Sequence, residues 1–275
     1  MQATDTISPF TGSPIATRGG LIPDGMYPSG YVQKLLREAR VVAHGSTMPF
    51  FEEMLRRHAT LHEWAAQQPE RRGMQGRTTA WAVPLPDSDV RVVVRHSQHG
   101  GMLAKMTRDV FRAPRAPDEL RISWTLRHVG IQTPRVLGYA LYPAAGGALF
   151  RADVVTREIA DSIDLQHAMA QEVRLYPHEA CIEATLVLLR RLARTWAYHP
   201  DLNCRNVLLS RTPQREIIAH VLDVDTLRFA EKRAEVKNAQ RLLRSAQKLL
   251  RAQASAGMKL LIARLTTGGG ERAAG

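Results

Sequence analysis

Read for hydrophobic periodicity, the chain falls into stretches of distinct texture. Residues 1–30 are rich in Gly, Pro, Ser and Thr with little periodicity, which predicts a loosely packed lead-in. Over residues 31–40, and again over 49–67, apolar positions recur at helical spacing (Phe50, Met54, Leu55, Leu61, Trp64), which predicts helices. After Pro69 the texture changes. Gly73-Met74-Gln75-Gly76-Arg77-Thr78-Thr79 reads as a two-glycine turn before Ala80-Trp81-Ala82-Val83, and the β-branched run Val90-Arg91-Val92-Val93-Val94-Arg95-His96 follows. Residues 118–129 make an amphipathic helix with Leu120, Trp124 and Leu126 inward, stopped at Gly130. Two strand-like runs, 136–141 and 149–156, flank the turn Ala144-Ala145-Gly146-Gly147 and predict a hairpin. Residues 179–197 carry a helical stripe of Ile182, Leu186, Leu189, Leu192 and Ala193, and a short apolar strand at 220–222 ends on Asp223. Residues 231–265 read as helical, and the Gly- and Ala-rich tail from 266 reads as fraying.

These elements predict an α+β chain in four parts. Residues 1–70 form an N-terminal extension, partly disordered and partly helical; 71–158 form a small β-rich lobe; 159–265 form a helical lobe; 266–275 form the tail.

Composition narrows the partners. At 275 residues, with 44% hydrophobic and 23% charged residues, the chain can bury a real core. Its net charge of +12 calls for an anionic partner: nucleic acid, an acidic membrane surface or a phosphorylated substrate. With 6% aromatic residues and no stacking motif, a nucleic-acid partner is not expected. On the last helical run, Leu242, Leu243, Ala246, Leu249 and Leu250 share one face, while Lys237, Arg241, Arg244, Lys248 and Arg251 lie mostly on another that suits anionic headgroups. Cys181 and Cys204 provide neither a disulfide framework nor zinc spacing, which fits a reducing compartment. No apolar run reaches membrane-spanning length and the first ten residues do not resemble a signal peptide, so the expectation is a cytoplasmic chain, peripheral to a membrane.

The chemistry gathers in one stretch. His199-Pro200-Asp201-Leu202-Asn203-Cys204-Arg205-Asn206 has the form H-x-D-x-x-x-x-N, and the later Asp223-Val224-Asp225 follows an apolar strand. This is how a protein-kinase-like fold holds a Mg²⁺-nucleotide and an acceptor hydroxyl together. Asp201 is expected to take or orient the hydroxyl proton. Asn206 and Asp223 offer hard oxygens to Mg²⁺, with Asp225 nearby. His199 is expected to organise the loop, and Asn203, where protein kinases carry Lys, to hold the loop or the acceptor. Upstream, Gly76, Arg77 and Thr78 sit where a glycine turn would cover the phosphates of ATP. Arg95 stands where kinase-like folds place the Lys that reaches the α- and β-phosphates, or else is a solvated charge at a strand end. Glu119 is its expected partner or simply stabilises a helix N-terminus. Order along the chain puts Glu158 at the interlobe hinge, where backbone groups meet adenine.

Over residues 73–250 the chain also resembles a known family, the lipopolysaccharide core kinases of Gram-negative bacteria, which include the 3-deoxy-D-manno-octulosonic acid (Kdo) kinases. The resemblance rests on Gly76-Arg77-Thr78-Thr79-Ala80-Trp81, Val93-Val94-Arg95-His96 followed by Gly100-Gly101, Glu119-Leu120-Arg121 and Pro134-Arg135-Val136. It rests further on Leu149-Phe150-Arg151-Ala152-Asp153-Val154-Val155-Thr156-Arg157-Glu158-Ile159, on residues 199–209 and on Asp223-Val224-Asp225. The resemblance implies ATP-dependent phosphorylation of a Kdo hydroxyl on a lipid A precursor, an anionic glycolipid, at the cytoplasmic face of the inner membrane. It also implies a working Arg95, since the family carries Arg there.

Three other readings compete. A protein kinase needs an activation segment and a peptide-gripping platform, for which the stretch after Asp223 is too short; a small-molecule or sugar acceptor fits better. A pseudokinase is suggested only by Arg95, and a basic nucleic-acid-binding protein only by the charge.

Overall fold

The computed structural model describes residues 26–74, 80–97 and 110–267. Its first element is a hairpin, β1 (Tyr31–Leu36) and β2 (Ala39–His44), paired from Tyr31 opposite His44 to Leu36 opposite Ala39. The helix expected over residues 31–40 is thus corrected. Val41 and Val42 favour extended backbone, Arg37 at the turn takes a positive φ of 53°, and β2 pairs with the much later β6. Tertiary pairing decides between two periodicities that the short run fits equally.

The single helical run expected over 49–67 is two helices, α1 (Met48–Arg57) and α2 (Leu61–Gln67), because the backbone turns extended at His58 and Thr60. Thr60 caps α2 by accepting the Glu63 N–H at 3.0 Å. Next come β3 (Arg72–Met74), β4 (Ala80–Pro84), β5 (Arg91–His96), the helix α3 (Ala116–His128), β6 (Val136–Ala144) and β7 (Leu149–Arg157). The seven strands form one sheet in the order β1-β2-β6-β7-β5-β4-β3. All its pairings are antiparallel. A boundary at residue 70 therefore does not hold: residues 31–44 supply two strands of the first lobe's sheet, and α1 and α2 cover one of its faces. There Phe51, Leu55, Leu61 and Trp64 pack on Val83, Val92, Val94 and Val155. On the other face Ala116 and Leu120 of α3 meet Val42, Tyr139 and Val154. Gly138 in β6 allows the close approach: a Cβ there would stand 2.6 Å from both Ala43 Cβ and Phe51 Cζ.

The second lobe holds β8 (Ser162–Asp164), α4 (Leu165–Ala170), α5 (His178–Arg194), β9 (Val207–Arg211), β10 (Ile217–Val221), α6 (Ala234–Ala252) and α7 (Ala256–Thr267). Its strands form a small sheet in the order β10-β9-β8. The helix α5 buries Ile182, Leu188, Leu189 and Leu192 at the centre of the core. The single helical run expected over 231–265 is two helices. Gln253 turns extended, and Ser255 Oγ donates to the Met169 carbonyl at 2.7 Å while accepting the Met258 N–H at 3.1 Å, which starts α7. The helix α3 joins the lobes, since Ile122 and Leu126 sit in the second core while Leu120 sits in the first. Among the described residues no helix is long and apolar enough to cross a membrane.

Candidate active site

His199 is fully buried and makes three bonds that fix the loop between α5 and β9. Its Nδ1 accepts the Asp201 N–H at 3.1 Å, so Nε2 carries the proton that reaches the Leu222 carbonyl at 2.8 Å. Its own N–H donates to Asn238 Oδ1 at 3.0 Å. Burial lowers its pKa, which keeps the ring neutral and preserves this tautomer. His199 thus ties the loop to the end of β10.

Two asparagines shape the rest of the loop. Asn203 Nδ2 donates to the Asp201 carbonyl at 2.9 Å, and its Oδ1 accepts the N–H groups of Arg205 and Asn206 at 2.9 and 3.2 Å. Asn206 Nδ2 donates to that same carbonyl at 2.9 Å. The amide nitrogen is thereby committed, and Oδ1 is the atom left for a ligand. The carboxylate of Asp201 points outward, 56% exposed, with Arg241 Nη2 at 3.7 Å. Beyond β10, Asp223 is exposed in left-handed backbone (φ 52°, ψ 49°), an uncommon conformation for a residue with a side chain. It turns the chain into a 3-10 turn (Val224–Thr226) that carries Asp225.

The first lobe meets these carboxylates. Arg95 Nη2 on β5 donates to Glu119 Oε2 in the first turn of α3 at 2.5 Å. Glu119 raises the Arg95 pKa, with smaller contributions from Asp223 and Asp225. Burial pushes the Glu119 carboxyl up, and Arg95 opposes that shift. Asp225 is raised by burial too, against the pull of Arg115, whose Nη1 lies 3.3 Å away. Arg95, Glu119, Asp223 and Asp225 therefore form one electrostatic neighbourhood spanning both lobes.

Glu158 differs from the expected picture in detail. Its side chain accepts from Arg72 and, at 3.0 Å, from Arg91 Nε, and its N–H is already given to the Arg91 carbonyl at 2.9 Å. Only its own carbonyl is left for an adenine edge. Gly76, Arg77 and Thr78 lie outside the described residues, although the strands flanking them, β3 and β4, pair as a hairpin.

Three participants escaped the sequence reading. Arg115 has no motif, and only the fold brings it to Asp225. Asn238 left a signal: it is a polar residue on the buried stripe Ala234, Leu242, Ala246 of α6. Arg241, assigned from sequence to a basic outer face, instead turns toward Asp201, and Lys237 is held by Glu231 at 2.6 Å.

A comparison with known families decides what this two-lobed arrangement belongs to. The model of the lipopolysaccharide kinase (Kdo/WaaP) family matches residues 62–260. The chain belongs to that family. It is 27% identical over 194 residues to a 3-deoxy-D-manno-octulosonic acid kinase of Haemophilus influenzae, covering 67% of this chain and 78% of that protein. A protein of the same description from Xanthomonas oryzae pv. oryzae is 31% identical over 179 residues, covering 63% and 68%. Among solved structures, the chain is similar to WaaP in complex with acyl carrier protein, with TM-score 0.49 and 16% identity over 83% of this chain and 89% of that one.

As a lipopolysaccharide kinase, the chain is a phosphotransferase acting on a hydroxyl group. The family match starts within α2 and leaves the β1–β2 hairpin outside it. Among the described residues, no three His, Cys, Asp or Glu side chains gather as a metal cage. A nucleotide-bound Mg²⁺ does not need one, because it takes one or two protein oxygens and completes its shell with phosphate and water. The Asp223 carboxylate and Asn206 Oδ1 fit that requirement.

Proposed function

We propose that the chain transfers the γ-phosphoryl group of ATP to a Kdo hydroxyl on a lipid A precursor. The observation that carries this reading is the ion pair of Arg95 and Glu119 coupled across the lobes to Asp223 and Asp225, beside the Asp201 loop. Phosphoryl transfer needs positioning and charge neutralisation more than covalent help. The Arg95 guanidinium, steered by Glu119, binds the α- and β-phosphates with fork geometry. Gly76, Arg77 and Thr78 are assigned to the phosphates from the sequence pattern alone, and the Glu158 carbonyl meets the base. Asp223 and Asn206 Oδ1 would hold Mg²⁺, whose charge offsets that of the phosphates. Asp201, exposed and next to Asn206, orients the acceptor hydroxyl and takes its proton. His199 and Asn203 hold that loop still, and Asp225 balances the charge of Arg95 and Arg115.

The acceptor is taken from the curated relatives, which are Kdo kinases, and from the net charge of +12, which suits a substrate bearing phosphates and a carboxylate. Such a substrate is a lipid, so the chain works at the cytoplasmic face of the inner membrane. Arg244, Lys248 and Arg251, exposed on α6, face the anionic surface.

The test incubates the purified chain with labelled ATP, Mg²⁺ and a Kdo-lipid A precursor, beside a protein substrate. Label is expected on the sugar alone. Label on a different core sugar, with none on Kdo, replaces the acceptor and keeps the reaction.

A further inference from the structure

A cavity of about 230 Å³ lies away from this site, between the outer side of α3 and the start of β1. Tyr31, His44, Trp124, Arg127, His128 and Arg135 form its wall, and among the described residues no carboxylate lines it. Among the described residues Arg127 and Arg135 make no ion pair. Arg127 donates to the Thr133 carbonyl at 3.0 Å, and the Arg135 side chain makes no hydrogen bond to a backbone carbonyl. The cations press on one another: the Arg127 pKa is lowered first by burial and then by the charges of Arg135 and Arg157. His44 Nδ1 accepts the Ser46 N–H at 3.3 Å, so its Nε2 carries the ring proton. Gathering two guanidiniums without a counter-charge costs stability unless an anion neutralises them.

We infer that this cavity binds a phosphate-class oxyanion, as inorganic phosphate or a phosphate monoester. The guanidinium fork matches phosphate oxygens in pairs. The volume is below that of pockets for drug-sized ligands, which suits one phosphoryl group and a short ester stem. Trp124, stacked on His128 with ring centroids 4.9 Å apart, makes a flat wall for that stem. None of the described residues proposed for phosphoryl transfer lines the cavity. Leu120 and Ser123 of α3 do, so a bound anion would brace the helix whose first turn carries Glu119.

Calorimetry on the full chain tests this with inorganic phosphate, glycerol 3-phosphate, and phosphatidylcholine vesicles with and without phosphatidate. At least one phosphate probe should bind the wild type, and saturating ATP with Mg²⁺ should leave that binding in place. Arg95→Gln should bind it equally well, whereas Arg135→Gln should weaken it at least tenfold. Heat with the soluble probes assigns the anion to a free phosphate ester. Retention only on phosphatidate vesicles assigns it to a lipid headgroup. No binding to any probe, binding that ATP abolishes, or equal binding by a folded Arg135→Gln overturns the inference.

Discussion

Arg95 and His96 are neighbours on β5, and they point to opposite faces of one sheet. Each has a carboxylate partner: Arg95 meets Glu119 at 2.5 Å, and His96 Nδ1 lies 2.6 Å from Asp153 Oδ1. By type and distance the two pairs look alike. Their surroundings differ. Asp153 is fully buried, and its Oδ2 also accepts from the Tyr142 hydroxyl at 3.0 Å and the His62 N–H at 2.9 Å. Tyr142 in turn accepts the Leu61 N–H at 2.9 Å. That cluster pins the start of α2 to β6 and β7, with the Asp153 oxygens filled by protein donors. Arg95, by contrast, is 31% exposed and spends one of the five N–H donors of a guanidinium on Glu119, while the charges of Asp223 and Asp225 also act on it. A polar pair whose valences are filled from within holds structure, and one with donors to spare is ready for a ligand.

The sharpest way to break this comparison is to remove carboxylates that face the open side. Asp223→Ala and Asp201→Ala should each lower kcat by about a thousandfold or more. Both side chains are exposed, so circular dichroism should stay near that of the wild type. The melting temperature should hold for Asp201→Ala and fall slightly for Asp223→Ala, because Ala tolerates left-handed backbone less well than Asp. Full turnover in either variant, measured by phosphate transfer to the sugar acceptor, would remove that residue from the mechanism.

The two pairs themselves give the next test. Glu119→Gln keeps the size and an acceptor oxygen but removes the charge that steers Arg95. Its kcat/KM for ATP should fall about ten- to a hundredfold, with stability little changed, since a buried charge carries its own desolvation cost. Asp153→Ala should do the opposite. Leaving its buried partners unmatched should cost about 3 kcal/mol or more of stability, seen as a lower melting temperature, while the folded fraction keeps near wild-type kinetics. If Asp153→Ala instead abolishes transfer at an unchanged melting temperature, the distinction between filled and open pairs fails.

How much of this was legible beforehand depended on how local each signal was. Within the loop from His199 to Asn206 the asparagines bond to residues only a few positions away, so that part of its pattern could be read directly. The pairing of Arg95 with Glu119 could be read only by likeness to the strand cation and helix Glu of the protein-kinase-like fold. The β1–β2 hairpin could not: its apolar positions fit a helix or a strand, and β6, about a hundred residues on, settles the choice. Arg115 was hidden for the same reason, since Asp225 reaches it only through the docking of the lobes. Asp153 was visible as part of a motif, but a motif does not say whether its carboxylate faces a ligand or a tyrosine.

The same contrast applies, at lower stakes, to the basic residues of α6. Lys237 is held by Glu231 and lies over the Tyr198 ring, with Nζ 5.4 Å from its centroid, and Arg241 turns to Asp201. Arg244, Lys248 and Arg251 are exposed and make no ion pair among the described residues. Of the α6 cations, these three are the open ones among the described residues, available to an anionic surface. Arg244→Gln should weaken retention on vesicles containing anionic lipid about fivefold, the equivalent of about 1 kcal/mol for a charge near a membrane surface. Raising the salt concentration should shrink the difference. Arg241→Gln should leave vesicle retention nearly unchanged and alter turnover instead, because its charge acts on Asp201. Equal loss of retention in both variants would mean that α6 presents its whole basic face to the membrane, and that filled and open cations are not distinguished there.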